Sequence, residues 1–314
     1  MIDWTDRYCR FFHRQMTQRA RLYTEMIVDQ AIIHGDRARL LDFGPEEHPV
    51  AIQLGGSDPR LLAEATRIAE GWGYDEINLN VGCPSDRVQS GAFGACLMRT
   101  PDLVADCVKA MRDAADHVPV TVKCRIGVDD QDPAAVLPNF INKMTEAGAE
   151  TIIVHARKAW LNGLSPKENR TIPPLDCDLV FAVAKARSEL TFVLNGGITS
   201  LDKAVEHLSI VDGVMLGRAA YERPYLLSSV DAQLFGGQRR SPISRLQVVA
   251  NVVAEARRQE VPIWRFARHM LGLFHGARGA KHWRRVISEE GREAREPEWL
   301  LRLADQMTAE AVAE

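Results

Sequence analysis

The feature that most constrains this chain is an alternation. Seven short runs rich in β-branched and aliphatic residues, at 23–27, 50–54, 76–81, 120–126, 151–155, 191–195 and 213–216, recur with helix-length amphipathic segments between them. Strands that alternate with helices cannot be joined by hairpins, so the pattern predicts a parallel sheet covered by helices, either doubly wound or closed as a (β/α)8 TIM barrel. A barrel needs an eighth strand. Residues 6–16 read as a helix lying before the first run, with Asp3 or Thr5 as its cap, so the missing strand is expected ahead of Met1, as if the chain had a late start or a truncation. Residues 296–312, rich in Ala, Leu, Glu and Arg, read as a helix and do not fill the gap. The β signals cease at the Gly236-Gly237-Gln238-Arg239-Arg240-Ser241-Pro242 stretch. The expected organisation is a barrel domain over 1–238, first strand lacking, and an all-helical domain over 239–314.

Composition narrows the class. No apolar window approaches the ~20 residues of a membrane span, and the first residues lack a signal peptide's basic start and apolar core, so a cytoplasmic protein with no membrane partner is expected. Six cysteines without CxxC spacing, in 314 residues, read as reduced thiols; Cys9, Cys107, Cys124 and Cys177 are taken as packing residues and Cys96, after Gly94, as structural. A net charge of −3 argues against a uniformly basic nucleic-acid binder but leaves room for a local basic surface. No repeats or low-complexity tracts occur, and no protein partner is evident.

Barrel enzymes place their chemistry at the C-terminal ends of the strands. In this chain those positions carry Glu25, Gln53, Asn80, Lys123 with Arg125, His155 and Asn195. Cys83 stands at the end of the 76–81 run, in Gly82-Cys83-Pro84, where the chain must turn outward. The last two strands lead into Asn195-Gly196-Gly197-Ile198 and Leu216-Gly217-Arg218, the loops where barrels commonly hold phosphate through backbone N–H groups and a helix start. Either glycine loop alone could be only a tight turn, Lys123 only an ion-pair partner and His155 only a hydrogen-bonded core residue. Asp129, Asp130 and Asp132 occupy a polar loop with neither a companion His nor a calcium-loop glycine pattern, so no metal is expected. Between Trp264 and Arg285 lie Arg265, Arg268, Arg278, Lys281, Arg284 and Arg285 with no acid among them, a local basic patch suited to RNA, or else a solvated helix face.

Taken together, NVGCPSDRVQSGAFGACLM, VTVKCRIG, VHARKAW, NGGI and GR resemble the flavin-dependent tRNA dihydrouridine synthases, and GLSPKENR, CRIGVDDQD and RHMLGLFHGARGAKHWRR resemble their A subfamily. The similarity runs from Met1 to about Ser288. It implies an FMN-containing barrel that reduces the C5–C6 bond of D-loop uridines in tRNA, at positions 20 and 20a, with NADPH as electron source. It further implies that Cys83 protonates C5, for which an ordinary thiol, pKa about 8.5, is mostly in the neutral form at pH 7. By the same resemblance Met1, Ile2, Gln53, Lys123, His155, Asn195, Gly196, Gly197, Gly217 and Arg218 bind FMN. Asn80, Lys167, Arg170, Lys281 and Arg284 contact tRNA, Lys281 standing where arginine is common. Family members begin with a strand ending in Ala-Pro-Met against the flavin, and this chain starts at the methionine of that motif. Two rivals stand beside this reading. One is an FMN barrel acting on a free small molecule, such as a dihydroorotate or dihydropyrimidine dehydrogenase relative; the other is an RNA-binding protein without catalysis.

Overall fold

The computed structural model describes residues 1–85, 88, 91–236 and 242–312. Seven strands, β1 (Leu22–Val28), β2 (Val50–Gly55), β3 (Glu76–Val81), β4 (Val120–Arg125), β5 (Thr151–His155), β6 (Thr191–Asn195) and β7 (Gly213–Met215), form one sheet in chain order. Every neighbouring pair is parallel. All seven predicted runs are strands, because a β-branched run bounded by turn residues and followed by an amphipathic helix has one low-energy solution, a crossover back to a parallel neighbour. Among the described residues β1 and β7 each keep one unpaired edge. Glu25 does not end its strand: β1 runs on to Val28, with a register irregularity between Tyr23 and Met26.

Successive residues of a strand face opposite sides. The outward set, including Val81, Val122, Cys124, Ile152, Val154, Phe192 and Leu194, is buried against the crossover helices Pro59–Gly71, Pro101–Ala114, Pro133–Glu146 and Cys177–Ala186 in the larger of two apolar cores. The inward set is polar on β3 and β4 and includes Ala51, Ile153 and Val193 on the neighbouring strands. It opens with a ladder in which Asn80 Nδ2 donates to Gln53 Oε1 (2.7 Å), Gln53 Nε2 to Asn78 Oδ1 (2.9 Å), Asn78 Nδ2 to the Thr121 hydroxyl (2.8 Å) and that hydroxyl to Glu76 (2.6 Å). Buried polar groups are tolerated here because each has a partner, at about 1 kcal/mol net per bond and a larger penalty if one partner is removed.

The first helix, Arg7–Arg14, is capped by Asp6, whose carboxylate accepts from the Cys9 amide. Neither expected cap acts there. Asp3 sits at φ 63° inside a turn, and the Thr5 hydroxyl donates back to the Met1 carbonyl. Arg10 pairs with Glu47, both buried, and the Arg14 guanidinium donates to the carbonyls of Thr17, Ala20, Glu47 and Pro49, fastening the helix to the barrel side. Its other face, Phe11 and Phe12 with Met16 just beyond, enters a second core shared with Leu201, Leu227, Val230 and the helices Arg245–Arg258, Ala280–Glu290 and Glu298–Val312. The expected boundary at 238/239 lies outside the described residues. No helix among them is long and apolar enough to cross a membrane.

Candidate functional site

Strand register assembles the site. Arg125, His155, Asn195 and Met215 are consecutive partners across β4 to β7, and Lys123 is paired with Asn80 two residues earlier, so these side chains share the inner face near the strands' C-terminal ends. Beside them Asn80 makes the turn that carries Cys83: its Oδ1 accepts from the amides of Gly82 and Cys83, each at 3.0 Å. The half-buried Cys83 thiol lies 3.5 Å from the Ser85 hydroxyl, and the Cys83 carbonyl accepts from the Ala95 amide at 2.9 Å. Asn80 was expected to face RNA; it is only 8% exposed, and its amide is already engaged by Gln53 and the Cys83 turn. The polar ladder thus ends in the thiol loop.

The mouth is electropositive. Burial and then Arg125 pull the Lys123 ammonium down to about 8, and Lys123 has no side-chain hydrogen bond or ion pair among the described residues. Burial, reinforced by Arg125, Lys123, Arg157 and Arg170, holds His155 well below its ordinary value. Its Nδ1 is buried without a partner. Arg170 is depressed by burial and by Arg218, whose guanidinium donates to the Arg170 carbonyl at 3.0 Å. Arg125, which burial brings down to about 10, is structural: it donates to the carbonyls of Gly82, Lys158 and Asn169 and so ties the thiol loop to the loops after β5. Cations gathered with so few carboxylates call for an anion.

The glycines that follow β6 leave room for one. Gly196 and Gly197 have φ 111° and 69°, a region that side chains rarely adopt. A Cβ on Gly196 would stand 2.9 Å from the His155 ring, and one on Gly197 2.4 Å from Leu175. Asn195 braces the neighbouring strand by donating to the Met215 carbonyl at 2.7 Å, and Gly217 abuts the Met1 sulfur. A flavin mononucleotide fits this donor set: two glycine turns and Arg218 for its phosphate, Lys123 for ring charge, and an unsatisfied His155 nitrogen.

The remaining predicted residues are dispersed. Ile2 is 43% exposed and faces a separate cavity of about 600 Å3 along β1. Lys167 is exposed beside the half-buried Arg170, at the start of the short turn Glu168–Arg170. Lys281 and Arg284 are exposed one turn apart on the helix Ala280–Glu290. Of the basic patch, Arg268 turns inward to pair with Asp6, and Arg265 lies over the Tyr8 ring, so the patch is smaller than its sequence suggests. The Asp129 carboxylate accepts from the Leu161 amide and pairs with Arg99. Residues that the sequence did not single out include Ser85 and Arg157, the latter brought near His155 and Arg218 by a loop whose path no local pattern encodes.

The model of the dihydrouridine synthase family matches residues 1–311. The chain belongs to the dihydrouridine synthase family. Among curated relatives it is 56% identical over 289 residues to the tRNA-dihydrouridine(20/20a) synthase of Xanthomonas campestris pv. campestris, covering 92% of this chain and 86% of that protein. The synthase of the same name from Vibrio vulnificus is 56% identical over 294 residues, 92% of this chain and 89% of its own, and that of Synechocystis 55% over 292, 92% and 87%. Solved structures similar in fold include an old yellow enzyme homologue from Zymomonas mobilis (TM-score 0.52, 13% identity, 74% of this chain and 84% of that one) and a morphinone reductase (0.52, 11%, 76% and 83%). Dihydrouridine synthases are enzymes that reduce uridines in tRNA, so a flavin oxidoreductase barrel is the expected scaffold and this chain has it.

Proposed function

We propose that this dihydrouridine synthase reduces the C5–C6 bond of D-loop uridines, at positions 20 and 20a as its relatives' names state, using FMN and NADPH. The observation that carries the reading is the seating of Cys83: Asn80 grips the two amides of its turn and presents the thiol beside a cation-lined, glycine-cradled mouth. Overall, uridine, NADPH and a proton give 5,6-dihydrouridine and NADP+. When bound, FMN supplies hydride transfer to C6, with NADPH as its electron source. The thiol of Cys83 gives its proton to C5, and Ser85, within sulfur hydrogen-bond reach, holds the donor in place.

In this reading Arg218 and the amides of Gly196, Gly197 and Gly217 take the FMN phosphate. Lys123, His155, Gln53 and Asn195 meet the ring system, and Met1 closes over it, while Ile2 faces the separate cavity along β1. Lys167 and Arg170 guide the RNA backbone toward Cys83, with Lys281 and Arg284 holding it further out. The test is a Cys83→Ala variant, which removes one thiol and no phosphate contact. It retains FMN and tRNA binding, while oxidation of the reduced enzyme by tRNA slows by roughly 10²-fold or more. Wild-type rates in that variant would remove Cys83 from the mechanism.

A further inference from the structure

We propose that the cavity between the helices Arg218–Glu222 and Ala280–Glu290 is a second base subsite, which holds a nucleobase of the RNA next to the uridine being reduced. The inference rests on the reading of the chain as a tRNA-reducing enzyme. The cavity, about 700 Å3, is bounded by Trp4, Tyr221, His269, Leu271, Lys281 and Arg284. The indole of Trp4 and the ring of Tyr221 are stacked, with centroids 4.4 Å apart and planes 21° apart, although 217 positions separate them in the chain. The Tyr221 hydroxyl lies 3.0 Å from His269 Nδ1, and His269 Nε2 lies 3.0 Å from Asp6 Oδ1. The polar groups behind the platform are therefore satisfied by one another, and what it offers a ligand is ring surface.

The other wall offers charge. Lys281 and Arg284 are exposed, and neither has an ion pair or hydrogen bond among the described residues. Ring surface and paired cations together suit a flat, apolar, π-bearing group that carries a phosphate, which is a nucleotide. A carboxylate would leave the rings unused, and an aliphatic group the cations. Gly272 forms the back of the cavity where it meets the barrel: a Cβ there would stand 2.1 Å from the Glu222 carbonyl, so the two walls are held close. Tyr221 stands one turn after Arg218 in the same helix, which sets the cavity beside the FMN phosphate end of the mouth. A strand of RNA delivering one base to Cys83 thus meets a second ring-lined recess on the same face.

The test measures turnover of the FMN-loaded full chain on tRNA in which each nucleotide flanking the target uridine is made abasic in turn. Wild type, Trp4→Leu and Ala280→Leu are compared, the last filling the cavity from the opposite wall without touching the platform. One flanking position is expected at which base removal raises the wild-type KM roughly 5- to 150-fold. Either substitution raises KM for intact tRNA by a similar factor, and the abasic penalty then largely disappears, a coupling that a merely structural defect does not produce. Should Trp4→Leu fail to fold, Ala280→Leu alone decides. Unchanged KM in the folded variants, or equal abasic penalties in wild type and variants, overturns the subsite while leaving the proposed function intact. Slowed flavin reduction by NADPH with an unchanged tRNA KM also overturns it, in favour of a dinucleotide site. If wild type forms no dihydrouridine, the proposed function fails and the subsite with it.

Discussion

Lys123 shows what a single residue contributes and how far its role was legible. A lysine at a strand's end has two ordinary fates, and nothing in its neighbours in sequence separates them; the register that pairs it with Asn80, with no ion pair to Lys123 among the described residues, does so. With its folded value lowered to about 8, Lys123 has lost much of its charge by pH 8.5. An anionic ligand placed beside it favours the charged form and raises that value again. FMN binding at pH 8.5 is therefore expected to draw protons from solution, up to about one per FMN by linkage. Titration calorimetry in two buffers of unequal ionisation heat measures this uptake, and in Lys123→Met it is expected to vanish. Asn80 and Cys83 could be paired from the sequence only as neighbours; that the amide oxygen of one seats the backbone of the other is a fact of the turn.

At the level of elements, the strands were readable because β-branched runs and amphipathic spacing both encode a covered parallel sheet, whereas the cap of the first helix was not. Asp3, Thr5 and Asp6 all suit an N-cap, and the choice falls to Asp6 because it also meets His269 and Arg268 from the far end of the chain. Burial opposes the charge of Asp6, but the His269 bond and charge, the Cys9 amide and Arg268 outweigh it and hold the carboxyl at about 2. The folded value lies below the unfolded one of 3.8, so this contribution is present above pH 3.8 and is lost as pH falls through 2. Asp6→Ala removes a cap and leaves Arg268 and His269 without their carboxylate partner, a loss of about 2–4 kcal/mol near neutral pH. Urea midpoints at pH 5 and pH 2.5 check both points: the gap between variant and wild type narrows at the lower pH.

Across the whole molecule, two apolar cores divide the labour. The larger follows the chain in order, since each strand pairs with the one made just before it. The smaller joins the ends, with Phe11, Phe12 and Met16 packed among Val248, Phe266, Trp283 and Leu303. Helix after residue 242 follows from the loss of β signals, but burial of the first helix by the last ones leaves no periodic trace in the sequence beyond ordinary amphipathicity. A chain ending at residue 236 is expected to keep its sheet yet expose those apolar side chains, each worth about 1.5–3 kcal/mol when buried. Stronger binding of a hydrophobic dye than by the full chain, with far-ultraviolet dichroism still showing strand and helix, is the result that checks it.

That chain-ordered sheet has a consequence for synthesis. As the polypeptide leaves the ribosome, every strand after the first finds its neighbour already made, so the barrel wall can grow without waiting for the end of the message. The first helix has no such neighbour. Phe11 and Phe12 emerge before all seven strands and their partners at Val248–Met307 after them, so each new copy carries an uncovered apolar face while the whole sheet is being made. The truncated chain proposed above is the intermediate that every nascent copy must pass through, and that interval is when holdase chaperones have something to grip.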